Sequence, residues 1–283
     1  MPDTLREGCA PSECGTKAAC ANCSSRPKSV SDLKSQHPNI KKVIGVVSGK
    51  GGVGKSSVSA QLAVLLKRMG YNVAVMDADI TGPSIPHMFG IHEKAFGDGT
   101  HIFPAESETG IKMMSINLLL ESEDVPVIWR GPVIAGVVKQ FWDDVAWENT
   151  DCMVIDMPPG TGDVPLTIFQ TVPLDGIIIV TTPQDLVGMI VRKAVHMASE
   201  MNIPVLGLIE NMSYAVCPDC GKHIEVFGAS NAAKLSSDLS IPLLAQLPFD
   251  PSTASLCDQG TIEKMTSTAL QDTASYLAGA LNL

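Results

Sequence analysis

The chain is 283 residues long and 45% hydrophobic, which suits one sizeable α/β domain plus a short appendage and leaves little room for two full domains. Its 20 basic and 30 acidic residues give a net charge of −10, which argues against nucleic acid as the main partner. No apolar run approaches the roughly 20 residues that span a bilayer, and the N-terminus lacks the basic-then-apolar layout of a signal peptide. The expectation is a cytoplasmic protein without a membrane partner.

Residues 1–38 are small and polar, punctuated by Gly, Pro and Ser, with no helical or strand period. Four of the eight cysteines fall here: Cys9, Cys14, Cys20 and Cys23, spaced C-x4-C-x5-C-x2-C. Clustered cysteines without a secretory signal read as metal ligands or redox thiols rather than disulfides. A metal centre can fold a segment that has no hydrophobic core, and four thiols suit one iron–sulfur cluster or one Zn²⁺. Residues 1–38 are therefore expected to be a metal-binding extension, and residues 39–283 the main domain.

From Lys41 onward, apolar runs at 43–47, 73–76, 153–155, 176–180, 205–209 and 243–247 alternate with helical stretches near 55–69, 132–145, 163–171, 185–200, 228–238 and 263–281. Continuous rather than alternating apolar runs indicate strands covered on both faces. The fold class is thus α/β, a doubly wound, mostly parallel sheet. Residues 97–115 look like a hairpin or an irregular insertion. Cys152 opens a strand and reads as core. Cys257 stands near a helix end without an assigned role.

Gly49-Lys50-Gly51-Gly52-Val53-Gly54-Lys55-Ser56, followed by Ser57, lies between the first apolar run and a helical pattern, the context of a phosphate-binding P-loop. The glycines let successive N–H groups turn toward phosphate oxygens, and the helix N-terminus adds partial positive charge. Lys55 would reach the β- and γ-phosphates of ATP, and the Ser56 hydroxyl would ligate Mg²⁺. Lys50 is not needed for this cradle. The octapeptide resembles the deviant P-loop of the nitrogenase iron protein, MinD, ParA and Mrp group. That resemblance implies a lysine reaching across a homodimer to the partner's nucleotide.

The second strand run ends at Val75-Met76-Asp77-Ala78-Asp79. The same resemblance makes Asp79 the aspartate that orients the attacking water and puts Asp77 near the Mg²⁺ shell. A third piece is Asp156-Met157-Pro158-Pro159-Gly160-Thr161-Gly162-Asp163. Asp156, closing an apolar strand, is a Walker B-type residue, and the Gly160 N–H can meet the γ-phosphate. Asp163 is also a reasonable helix N-cap.

Asp77-Ala78-Asp79-Ile80-Thr81-Gly82-Pro83-Ser84-Ile85-Pro86, Trp129-Arg130-Gly131-Pro132, the Asp156–Asp163 loop and Cys217-Pro218-Asp219-Cys220 together resemble the Mrp/NUBP (ApbC-type) ATPases. These are iron–sulfur cluster carrier or scaffold proteins, and the resemblance covers about residues 40–283. It implies ATP hydrolysis coupled to cluster handling, apoprotein recipients, and an adenine contact at Asn211, with Leu247–Pro251 lining the same pocket. Asn211 also suits a plain turn. The N-terminal cysteines look like the NUBP branch but order their gaps differently.

Cys217 and Cys220 supply two thiolates where a [4Fe–4S] cluster or structural Zn²⁺ takes four. Two chains would complete the set, the same dimer that Lys50 calls for. A redox C-x2-C pair and a zinc knuckle using His223 are the alternatives at this site. For the whole protein, the alternative is a ParA/MinD-like regulatory ATPase whose cysteines hold zinc or nothing.

Overall fold

Ile40–Ser48 (β1) occupies the middle of the sheet because its apolar run must be covered on both faces. Val43 and Val47 pack on one side with Val138 and Trp142, while Ile44 and Val46 pack on the other with Val58 and Leu62. The computed structural model describes residues 37–80, 82–120, 131–184 and 187–283. Cys9, Cys14, Cys20, Cys23, Thr81, Trp129 and Arg130 lie outside the described residues.

The other strands are Val73–Asp77 (β2), Phe96–Gly97 (β3), Ile102–Phe103 (β4), Ala105–Glu106 (β5), Lys112–Met114 (β6) and Thr150–Asp156 (β7). They continue with Gly176–Thr181 (β8), Val205–Val216 (β9), His223–Ile224 (β10) and Leu243–Pro248 (β11). The sheet runs β11-β9-β8-β1-β7-β2-β6-β5, with β10 paired to the far end of β9, and is parallel except where β5 meets β6 and β10 meets β9. The chain leaves β1 toward β2, comes back to insert β7 between them, then crosses to β8 on the far side. The C-terminal end of β1 is therefore the crevice at which open α/β sheets bind ligands.

The helices are Lys55–Arg68 (α1), Ile85–Met88 (α2), Gly131–Asp143 (α3), Asp163–Thr171 (α4), Val187–Glu200 (α5), Ala232–Leu239 (α6), Pro251–Asp258 (α7) and Gln271–Leu281 (α8). Side chains of α3, α4, α5 and α6 cover one face, and those of α1, α2, α7 and α8 cover the other. The doubly wound parallel sheet expected from the continuous apolar runs is what forms.

Three departures from the pattern have physical causes. The helix expected over 263–281 is a 3₁₀ turn at Ile262–Lys264, a connection, and then α8. The Arg68 guanidinium takes the carbonyls of Glu263 and Met265, both at 2.7 Å, and Met265 and Leu270 anchor the connection in the core. β9 runs on to Val216, seven residues past the expected end at 209, because β11 and β10 pair along it. Within 97–115, β6 joins the main sheet beside β2, so this stretch is partly structural edge. Cys152 is fully buried, and burial pushes its thiol up to about 12, as befits a core residue.

Candidate functional site

Glycine at 54 is favoured by its backbone, and any larger residue would have to displace Asn211. The φ of Gly54 is +78°, and a Cβ there would stand 2.2 Å from Asn211 Nδ2. This left-handed residue caps α1 and turns the chain so that Lys55 enters the helix with its side chain pointing back over the loop. Lys55 is 6% exposed, with Nζ 2.7 Å from Asp156 Oδ1 and 3.8 Å from Asp79 Oδ2. Ser56 Oγ donates to Asp156 Oδ2 at 2.5 Å, and Ser59 Oγ donates to Asp156 Oδ1 at 2.9 Å. Asp156, with no exposed surface, thus ends β7 holding an ammonium and two hydroxyls. Ser59 was not singled out in the sequence. Its one signal is a small polar residue four positions after Lys55, on the same helix face.

Asp77 and Asp156 are register partners on neighbouring strands. Asp77 is 1% exposed and accepts from the backbone N–H groups of Asp79, Ser84 and Ile85 at 3.0–3.2 Å, and from Ser115 Oγ at 3.3 Å. Burial, then the neighbouring Asp156 charge, pushes its carboxyl up to about 7. Its oxygens hold the backbone at Asp79, Ser84 and Ile85, so it fixes where Asp79 stands beside the loop. Gly160 has φ +89°, and its N–H donates to Ser48 O at 2.8 Å. It can meet a γ-phosphate only by giving up that bond.

A hollow of about 290 Å³ lies over the loop, lined by residues including Lys50, Gly51, Gly52, Lys55, Ser56 and Asp79. No cluster of three or more His, Cys, Asp or Glu suited to a metal occurs among the described residues. The oxygen donors beside the hollow instead fit a Mg²⁺ that completes its shell with phosphates and water. Next to it is a mostly apolar cavity of about 230 Å³, whose lining includes Gly54, Ser57, Asn211, Met212, Phe249 and Asp250. The Asn211 amide donates to Val53 O at 2.9 Å, tying the base-sized cavity to the phosphate loop. Cys257 is buried at the same cavity with its sulfur 3.8 Å from Ser57 Oγ, and burial raises its thiol. Lys50 reaches across to Gln184, on the loop after β8.

Asp250 caps α7 at the cavity rim, accepting from Ser252 N (2.9 Å), Ser252 Oγ (2.6 Å) and Thr253 Oγ1 (2.7 Å). Burial alone would raise its carboxyl, but these donors outweigh it and hold it below the ordinary 3.8. Its stabilisation is therefore present above that value and lost as pH falls through the lower folded-state value. Asp250→Ala is expected to cost about 1 kcal/mol at neutral pH, measured as a shift in urea midpoint. The gap to wild type should narrow below pH 3.8. A gap that stays constant down the acid range would contradict this.

Cys217 and Cys220 sit at the tip where β9 turns into β10. Cys217 N donates to Lys222 O and Gly221 N to Cys217 O, both at 2.9 Å, with Gly221 at φ +70°. Cys217 is half-buried and Cys220 exposed. The N–H of Cys220, then that of Asp219 and the Cys220 thiol, lower the Cys217 thiol, which favours the ligand form. Val216, Ile224, Val226 and Phe227 are 40–54% exposed close by in the chain. His223 stacks on Tyr214 with ring centroids 4.0 Å apart.

A strand, a glycine turn holding a buried lysine, and a helix whose hydroxyls reach a strand-end carboxylate define a P-loop nucleoside triphosphatase. The family described as ParA, NUBPL iron-transfer P-loop NTPase, matches residues 39–281, and the chain belongs to that family. It is accordingly an ATPase. An iron-sulfur cluster carrier protein of Clostridium perfringens is 46% identical over 268 residues, 88% of this chain and 94% of its own length. A protein of the same name from Methanocaldococcus jannaschii is 45% identical over 230 residues, 81% of this chain and 79% of its own. Among solved structures, the nucleotide-binding protein of Archaeoglobus fulgidus in complex with ADP matches with TM-score 0.74 and 40% identity, over 83% of this chain and 93% of that one. The septum site-determining protein MinD of Pyrococcus horikoshii, with Mg-ADP, shares the fold at TM-score 0.59 and 19% identity, over 84% and 95% of the two chains. No helix among the described residues is long and apolar enough to cross a membrane.

Proposed function

We propose that the chain is an ATP-dependent iron–sulfur cluster carrier or scaffold. It holds a [4Fe–4S] cluster across a cytoplasmic homodimer and passes it to apoproteins. The name shared by its relatives supports the carrier role. The observation that carries the finer reading is the pair Cys217/Cys220: two thiols at an accessible hairpin tip, flanked in sequence by exposed apolar side chains. Two thiolates are half of a cluster's ligand set, and a two-fold axis supplies the other half. Apolar side chains beside such a half-site suit burial against a second copy.

In this reading Gly49–Ser57 cradles the ATP phosphates, Lys55 holds the β- and γ-phosphates, and Asn211 borders the base. Ser56, Asp156 and, through Asp77, the Asp79 segment form the oxygen side of the Mg²⁺ site; the cation, when bound, neutralises charge on the phosphates. Asp79 orients the attacking water, and Gly160 senses the γ-phosphate by exchanging its bond to Ser48. Lys50 leaves Gln184 and reaches the partner's nucleotide. Residues 1–38 form a separate extension whose Cys9, Cys14, Cys20 and Cys23 hold a second centre, iron–sulfur or zinc, and residues 39–283 form the ATPase domain. Anaerobic reconstitution followed by incubation with an apo [4Fe–4S] acceptor tests the whole. Bound iron and sulfide, with acceptor activation faster in Mg-ATP, is the expected result. A protein that retains no iron would sink the carrier reading.

A further inference from the structure

The nucleotide cavity and the thiol hairpin lie on one strand. Along β9, Asn211 bonds to the phosphate loop at Val53 O, and Met212, held at φ +55°, lines the cavity. Positive φ is costly for a side chain of this size, so the strand is strained where it meets the nucleotide. Glu210, 2% exposed, accepts from Ser213 Oγ at 2.6 Å and from Gln246 Nε2 at 2.9 Å, which locks β9 to β11. Four residues after Glu210, Tyr214 O accepts from Phe249 N at 2.7 Å, and Phe249 is itself a wall of the cavity.

The Tyr214 ring faces the other way along the chain. It stacks on His223 at 4.0 Å with an interplanar angle of 14°. His223 belongs to β10, which meets β9 through only the pairs His223↔Val216 and Ile224↔Ala215. Beyond those pairs, the backbone bonds Cys217 N to Lys222 O and Gly221 N to Cys217 O close the turn, and the ring stack is the side-chain restraint that ties this short hairpin back to the body of β9. From Asn211 to Cys217 the strand spans about 20 Å at its ordinary rise, with no flexible joint after Met212.

We propose that Tyr214 is a positioning residue that couples the nucleotide cavity to the orientation of Cys217 and Cys220. Its carbonyl is bonded to the cavity wall and its ring to the hairpin, so movement of the one is carried to the other. The proposal rests on the reading of these two sites as nucleotide and cluster sites. Its test is made on the full chain without iron, so it stands or falls separately from cluster binding.

The experiment follows alkylation of Cys217 and Cys220 by iodoacetamide, resolved by peptide mass spectrometry, with and without Mg-ATP. In the wild-type chain, Mg-ATP should change the rate about fivefold or more. In Tyr214→Leu that ratio should fall to about one while ATP affinity stays within about twofold; Tyr214→Phe, which keeps the stack, should restore the ratio. Should Tyr214→Leu fail to bind ATP, His223→Leu removes the same stack from its exposed end and must abolish the ratio too. A wild-type ratio retained in either leucine variant that binds ATP overturns the proposal, as does an absence of any ATP effect in the wild type. Simple shielding by an ATP-induced dimer would leave the ratio intact in both variants and so counts against it.

Discussion

Lys50→Ala is expected to lower ATP turnover by about two to three orders of magnitude while changing nucleotide affinity only a few-fold, since a charge aimed at the transition state contributes little to ground-state binding. Lys50 is in the exposed part of the loop and bonded to Gln184, outside the buried carboxylate cluster. Its loss should shift stability by no more than about 0.5 kcal/mol. Lys55 offers no such clean probe. Lys55→Ala would leave Asp156 buried without its ammonium, 2.7 Å away, and lose about 3–5 kcal/mol in stability along with phosphate binding.

A mixing experiment decides whether Lys50 acts on its own nucleotide or on the partner's. Lys50→Ala and Asp79→Asn chains are each inactive as homodimers in the proposed mechanism. In a mixed dimer, one of the two sites has its own Asp79 and receives Lys50 from the partner. Random mixing should therefore recover about a quarter of wild-type turnover in a symmetric dimer. Mixing that recovers nothing places Lys50 in cis and removes the argument for a catalytic dimer.

The second large effect is expected at the thiol pair. In a background with Cys9, Cys14, Cys20 and Cys23 replaced by serine, reconstituted protein should hold about two iron atoms per chain, one four-iron cluster for two chains. Adding Cys217→Ser and Cys220→Ser should remove that iron and the cluster-dependent dimer in sedimentation. ATP binding should persist, because neither cysteine lines the cavity beside Asn211. Stability should change by no more than about 0.5 kcal/mol, as both side chains are half or fully exposed. Equal iron in the two proteins would end the bridging-cluster reading.

The parts of this site that were legible beforehand are those made by neighbours in the chain. The P-loop is readable because glycines at 52 and 54 serve backbone geometry that depends only on local φ, +78° at both positions. The thiol pair is readable because a tight turn brings residues three apart together. β1, β7 and β8 are readable because strands covered on both faces need unbroken apolar runs. What escaped were contacts between residues far apart in sequence. Ser59 and Ser115 are unremarkable serines until α1 and the stretch after β6 bring them onto Asp156 and Asp77. Arg68 breaks the expected last helix from 195 residues away.

By itself, then, the sequence determined the sheet's buried strands, the nucleotide loop, the family and the two-thiol shortfall, all carried by local pattern and residue type. Tertiary structure alone decided which carboxylate does what. Pairing of β2 with β7 sets Asp77 beside Asp156, where burial and like charge raise the one, while Lys55 and two hydroxyls hold the other. It also decided that β9 carries the apolar cavity beside Asn211 and the thiol hairpin on one length of backbone. Strand register and burial are collective properties of the packed chain, and no single segment encodes them.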